Sequence, residues 1–127
     1  MARVSLIGFD PDTVASSNPA LPTGMTADEI RAGIERALKQ IKERGWEADA
    51  CLVRPDDTAG PTVERHLVAT EYDCVVVGAG VRLPPQALAI FEVVVNAIHN
   101  AAPNAAIAFN TWPDDSADAA ARWLPPA

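Results

Sequence analysis

Apolar positions along this chain follow two rhythms that alternate from end to end. Cys74–Val77 is an uninterrupted apolar run rich in β-branched side chains, stopped at once by Gly78 and Gly80. A strand apolar on both faces has to be covered on both faces, so this run predicts a central parallel strand between helix layers. Residues 3–10, with Val4, Leu6 and Ile7, predict a first strand. Glu47–Val53 and residues 105–110 predict a second and a fourth.

Helical spacing fills the gaps. Thr26-Ala-Asp-Glu29 has the form of a capping box, Ile30, Ile34, Ala37, Leu38 and Ile41 recur on one face, and Gly45 supplies the stop. A shorter helix spans about 58–70, with Val63 and Leu67 as its stripe and Pro61 tolerated in its first turn. A third runs from Pro85 to about Ala101, placing Ala87, Leu88, Phe91, Val94, Val95 and Ile98 on one face. Ile90 and Val93 project away from that face, which predicts a subunit contact there. A last helix, capped by Asp114, Asp115 or Ser116, carries Ala117, Ala120, Ala121 and Leu124. Residues 11–25, rich in Pro, Ser, Asn, Thr and Gly, form a loop longer than α/β units normally need, so it is either functional or a surface decoration.

The order βαβαβαβα implies a three-layer α/β/α sandwich, flavodoxin-like or Rossmann-like, on a four-stranded parallel sheet ordered 2-1-3-4. The first and last helices then share one face and the middle two the other. The fourth strand is an apolar edge, which with Ile90 and Val93 predicts a homodimer. In such sheets ligands bind beyond the carboxyl ends of the strands where the order reverses, here between the first and third strands. The loop after the first strand and the stretch 78–85 meet at that point.

Composition narrows the function. At 127 residues the chain suits a single domain, and its 49% hydrophobic and 21% charged residues are ordinary for a globular fold. A net charge of −7 argues against nucleic acid as partner. Five basic residues cluster at Arg31, Arg36, Lys39, Lys42 and Arg44, but Asp28, Glu29, Glu35 and Glu43 are interspersed with them, as on a solvated helix face. Cys51 and Cys74 sit inside apolar runs and read as buried reduced thiols. No apolar run approaches membrane-spanning length and no leader pattern is visible, so a cytoplasmic protein is expected.

Candidate chemistry is sparse. Gly78-Ala-Gly80 invites a dinucleotide reading, but the third position of that fingerprint is Leu83, and Ile98 and His99 stand where an acid is needed. Asp10 ends the first strand as in phosphorylated receiver domains, yet those carry their acceptor carboxylate where this chain has Gly78. Cys74 and Arg82 are wrongly spaced for a phosphatase loop. His66 and His99 read as structural histidines. No metal pair and no cofactor motif remains.

What does remain is a set of polar residues at strand ends: Asp10, Asp12, Gly78 and Gly80 with their amides, Arg82, Asn110 and Thr111. Arg82 can clamp an anion bidentately or pair with Asp10, and Trp112 can floor a pocket or cover the sheet edge. These residues support three functions. The first is a module binding an anionic small molecule; the second is a hydrolase or transferase using Asp10 near Arg82; the third is a homo-oligomeric interaction protein. The phrases LIGFDPDTV, PALPTGMTADEIRAGIE, YDCVVVGAGVRLPP and AIAFNTWPDDSADAAARWL resemble a group of small bacterial α/β proteins without assigned function. That resemblance implies a flavodoxin- or Rossmann-like fold and transfers no catalytic residue.

Overall fold

The computed structural model describes residues 1–14 and 26–126. Four strands, β1 (Arg3–Phe9), β2 (Glu47–Val53), β3 (Cys74–Val77) and β4 (Ala106–Phe109), form one all-parallel sheet in the order β2-β1-β3-β4. The principal helices are α2 (Ala27–Glu43), α3 (Ala59–Ala69), α5 (Leu88–Ala101) and α6 (Ser116–Ala121). Two single turns, α1 (Pro11–Val14) and α4 (Ala79–Arg82), follow the ends of β1 and β3. Among the described residues no helix is long and apolar enough to cross a membrane.

Strand alternation divides the core in two. Ile7, Phe9, Cys51, Val53, Val75 and Val77 face α3 and α5, joining Val63, Leu67, Val94 and Ile98. Val4, Leu6, Cys74 and Val76 face α2 and α6, joining Ala37, Ile41, Ala117 and Ala120. All four β3 residues are fully buried, two on each side, as the apolar run requires.

Local chemistry explains the boundaries. Thr26 Oγ1 accepts the Glu29 N–H (3.1 Å) at the start of α2, and Gly45, at φ 92°, turns the chain out of it. After β1 the chain turns at once into α1, where a loop was expected. Asp10 Oδ1 accepts the Asp12 N–H (3.0 Å), and the Asp10 carbonyl accepts from the Thr13 N–H and hydroxyl (3.0 and 2.7 Å). The remainder of the long first loop, 15–25, lies outside the described residues.

Two expectations are corrected around α5. The helix pattern starts at Pro85, but residues Pro85–Ala87 form a 3-10 turn and the α-helix begins at Leu88. Its inward face is also rotated. Ile90 packs against the core with Ala97 and Ala101, while Leu88 is 59% exposed. Val93 is 45% exposed, and its Cγ1 lies against Gly60 of α3, where an added Cβ would sit 2.9 Å away. Ile90 is therefore an intramolecular contact; the α3–α5 approach, made close by a glycine, draws that side of the helix inward.

Candidate functional site

The carboxyl ends of β3 and β4 bring together most of the polar residues singled out above. Asn110 follows β4 and is buried, 3% exposed. Its Oδ1 accepts the Ala79 N–H of α4 (2.7 Å), and its Nδ2 donates to Ser116 Oγ of α6 (2.9 Å). Arg82, the last residue of α4, donates from Nη2 to the Asn110 carbonyl (2.8 Å) and lies with its guanidinium carbon 5.8 Å from the Phe109 ring centroid. Its Nε is buried without a hydrogen-bond partner among the described residues.

Thr111 is exposed and turned to Asp115, whose carboxylate accepts both the Thr111 N–H (2.9 Å) and the Thr111 hydroxyl. Burial raises the Asp115 pKa, but the Thr111 hydroxyl, the Thr111 and Trp112 amides and Arg122 outweigh it and leave the group below its ordinary value. Trp112 is 55% exposed beside this turn.

The amides around the glycine pair are mostly engaged within the fold. The Gly78 N–H donates to the Ile7 carbonyl (2.8 Å), the Ala79 N–H to Asn110, and the Val81 N–H to the Gly78 carbonyl (3.0 Å). Gly78 suits the close approach of β1, since a Cβ there would crowd the Ile7 oxygen at 3.1 Å. At Gly80 no described atom lies within 4 Å of an added Cβ.

Asp10 stands apart from this group. Its carboxylate caps its own turn, and no Asp10–Arg82 ion pair is found among the described residues. The acids after β1 look instead to α2, where Arg31 pairs with Asp12 (2.9 Å). Asp12 is the main cause of the raised Arg31 pKa, with Asp10 a lesser one.

A second polar cluster lies on the α3 side of the sheet toward its amino end. Ser5 Oγ donates to Asp49 Oδ1 (3.0 Å), Tyr72 OH donates to Asp49 Oδ2 (2.7 Å), and His66 Nε2 lies 2.9 Å from Asp49 Oδ1. The same nitrogen is 3.0 Å from both the Ser5 and the Tyr72 hydroxyls, and the His66 and Tyr72 rings stack at 5.4 Å. Burial, then the hydrogen bond to Asp49, pushes the Tyr72 phenol far above its usual range.

Serine, histidine and aspartate here are not a catalytic triad. A relay needs serine and carboxylate on opposite ring nitrogens, whereas both contact Nε2, and Ser5 is fully buried. Strand parity was the sequence signal for this cluster. Ser5 shares a face with Ile7 and Phe9, and Asp49 with Cys51 and Val53, so both are polar residues on an inward face.

Cys51 and Cys74 are buried, and burial pushes both thiols up to about 11, aided by Asp49 and Asp73 respectively, so neither is a ready thiolate. Among the described residues no three His, Cys, Asp or Glu side chains gather as metal ligands. A shallow depression lined by Glu35, Leu38, Lys39, Lys42 and Glu43 runs along α2 alone, away from the carboxyl ends of the strands.

No family model matches this chain, and neither a curated protein nor a solved structure matches it.

Proposed function

We propose that the chain is a binding module for a small anionic molecule, held at the carboxyl end of the sheet by Arg82. The observation that carries this reading is the state of that guanidinium. One corner is anchored on the Asn110 carbonyl and its face leans toward Phe109, while the buried Nε has no acceptor among the described residues. A buried donor left unpaired costs about 1–3 kcal/mol, which an oxyanion reaching the fork would recover. Leu83 and Trp112, exposed on the two loops that meet here, suit a ligand with an apolar or planar body beside its anionic group. The site is thus displaced toward β3 and β4 from the β1–β3 crevice.

Binding is favoured over a hydrolase or transferase using Asp10, because the Asp10 carboxylate is engaged with the Asp12 N–H and is not paired with Arg82. Thermal-shift measurements across nucleotides, sugar phosphates and carboxylates test the reading. At least one anionic compound should raise the melting temperature of the wild type and leave Arg82→Ala unmoved. A flat panel, or an equal response in Arg82→Ala, removes it.

A second reading concerns assembly. Among the described residues no strand pairs with the outer edge of β4, and on α5 Leu88 is exposed while Phe91 and Val95 are half-buried. An apolar helix flank continuous with an unpaired strand supports a homodimer formed there. Ile90 packs inward and Val93, though exposed, lies against α3, so the residues that recommend this seam are Leu88, Phe91 and Val95.

A further inference from the structure

The free backbone groups of β4 complement themselves. The N–H groups of Ala106 and Asn110 go to the Asp73 and Val77 carbonyls of the β3 segment (3.0 and 3.4 Å). By strand alternation, residues 105, 107 and 109 therefore turn their N–H and carbonyl groups outward. Two of these groups are already engaged. The Ala105 N–H donates to the Ala102 carbonyl (3.1 Å), and the Phe109 carbonyl accepts from Arg122 Nη2 (2.8 Å). Unpartnered among the described residues are both groups of Ile107, the Phe109 N–H and the Ala105 carbonyl.

An antiparallel pairing of two β4 strands about a two-fold axis at Ile107 uses this set completely. Ile107 exchanges two hydrogen bonds with its own copy, and each Phe109 N–H meets the carbonyl of Ala105 of the partner subunit. The remaining two groups that would face each other in that pairing are the Ala105 N–H and the Phe109 carbonyl. They are the two satisfied within the chain.

The flank of α5 has matching symmetry. Phe91 meets Phe109 edge-on, with centroids 5.9 Å apart. Four residues further along α5 is about 6 Å, close to the rise of two strand residues, which brings Val95 level with Ile107. Exposed Glu92 and His99 lie on either side of Val95 along the same flank. The axis that pairs Ile107 with its copy therefore sets Glu92 opposite His99 of the partner subunit, twice per dimer. The other sheet edge lacks these features: β2 is bordered by the Arg3–Glu47 ion pair, by partly exposed Asp49 and by the charged outer face of α2.

We infer that two copies of this chain join β4 to β4, antiparallel about Ile107, into a continuous eight-stranded sheet with the two α5 helices side by side on one face. The inference rests on the homodimer reading above and adds its seam. Size-exclusion chromatography with light scattering tests both at micromolar concentration. The wild type should run at twice the 13.4 kDa chain mass. Glu92→Arg, an exposed change, should weaken the dimer several-fold, and adding His99→Glu should restore it. Ile107→Pro, which deletes an outward N–H, should give a monomer with native circular dichroism. If that variant is unfolded, the charge-reversal pair decides the matter alone. A wild-type dimer unmoved by Glu92→Arg overturns the seam and leaves the homodimer standing; a wild-type monomer overturns both.

Discussion

The Asn110 side-chain oxygen accepts the Ala79 N–H at 2.7 Å and so ties the end of β4 to the first turn of α4. The same amide donates to Ser116 Oγ, and the residue is buried. One side chain therefore clamps three segments around Arg82. Asn110→Ala leaves a backbone donor and a hydroxyl without their partner, and should lower stability by about 1–3 kcal/mol. Urea unfolding reads the change; a shift near zero would mean that water replaces the amide at both contacts.

Tyr72 is the only tyrosine in the chain, so an absorbance titration reads it alone. Burial and Asp49 hold its phenol protonated well beyond the ordinary range. The native protein should give no phenolate signal near pH ~10, where free tyrosine ionises. Because the folded pKa is the higher one, its stabilising effect is whole below that pH and fades as pH rises through it. Tyr72→Phe should flatten this alkaline decline. Its cost at neutral pH should be about 0.5–1.5 kcal/mol, less than additive with Asp49→Ala.

Gly60 and Val93 are complementary in size. A Cβ on Gly60 would lie 2.9 Å from Val93 Cγ1, so Gly60→Ala should cost about 1–3 kcal/mol by forcing α3 and α5 apart, despite the better helix former. Val93→Ala in the same chain should recover most of that loss, because it removes the obstructing methyl. Thermal or urea unfolding of the two single variants and the double variant gives the coupling; additive costs would place the clash elsewhere.

Asp115 governs part of the acid limb. Its folded pKa is depressed below the unfolded value because the Thr111 hydroxyl and amide, the Trp112 amide and Arg122 outweigh the opposing effect of burial. Its contribution is present above the unfolded carboxylate pKa, about 3.9, and is lost as pH falls through the lower folded value. Asp115→Asn should therefore lower stability at neutral pH and make the decline in acid shallower. An unchanged acid limb by circular dichroism would contradict this.

Sheet order and strand positions were legible because apolar runs such as Cys74–Val77 alternate with helical spacing, and parallel strands joined by right-handed crossovers leave few possible orders. β2 runs over Glu47–Val53 as its apolar pattern implies, and Thr26 and Gly45 bound α2 as their chemistry implies. α5 was harder. A helix apolar almost all round has no single preferred face, and the contact with Gly60 of α3, invisible in local spacing, decided that Ile90 turns inward and Leu88 outward. Arg82 and Asn110 were legible as candidates but not in their arrangement, since Arg82 is held by a backbone carbonyl, which no residue type announces. The Ser5 cluster was legible only in part: parity marks Ser5 and Asp49 as polar residues on an inward face, but nothing local joins them to His66 and Tyr72, which come from two other segments.

Ser5 is a fully buried hydroxyl within β1, aligned with Asp49 across the β1–β2 ladder. Sliding β1 by one position would carry its hydroxyl onto the largely apolar α2/α6 side and take one donor from the Asp49 carboxylate. Apolar residues alone discriminate poorly here, because both faces of β1 are buried, with Ile7 and Phe9 on one side and Val4 and Leu6 on the other. The cluster acts as a key cut into an otherwise featureless strand, penalising mispaired assemblies during folding.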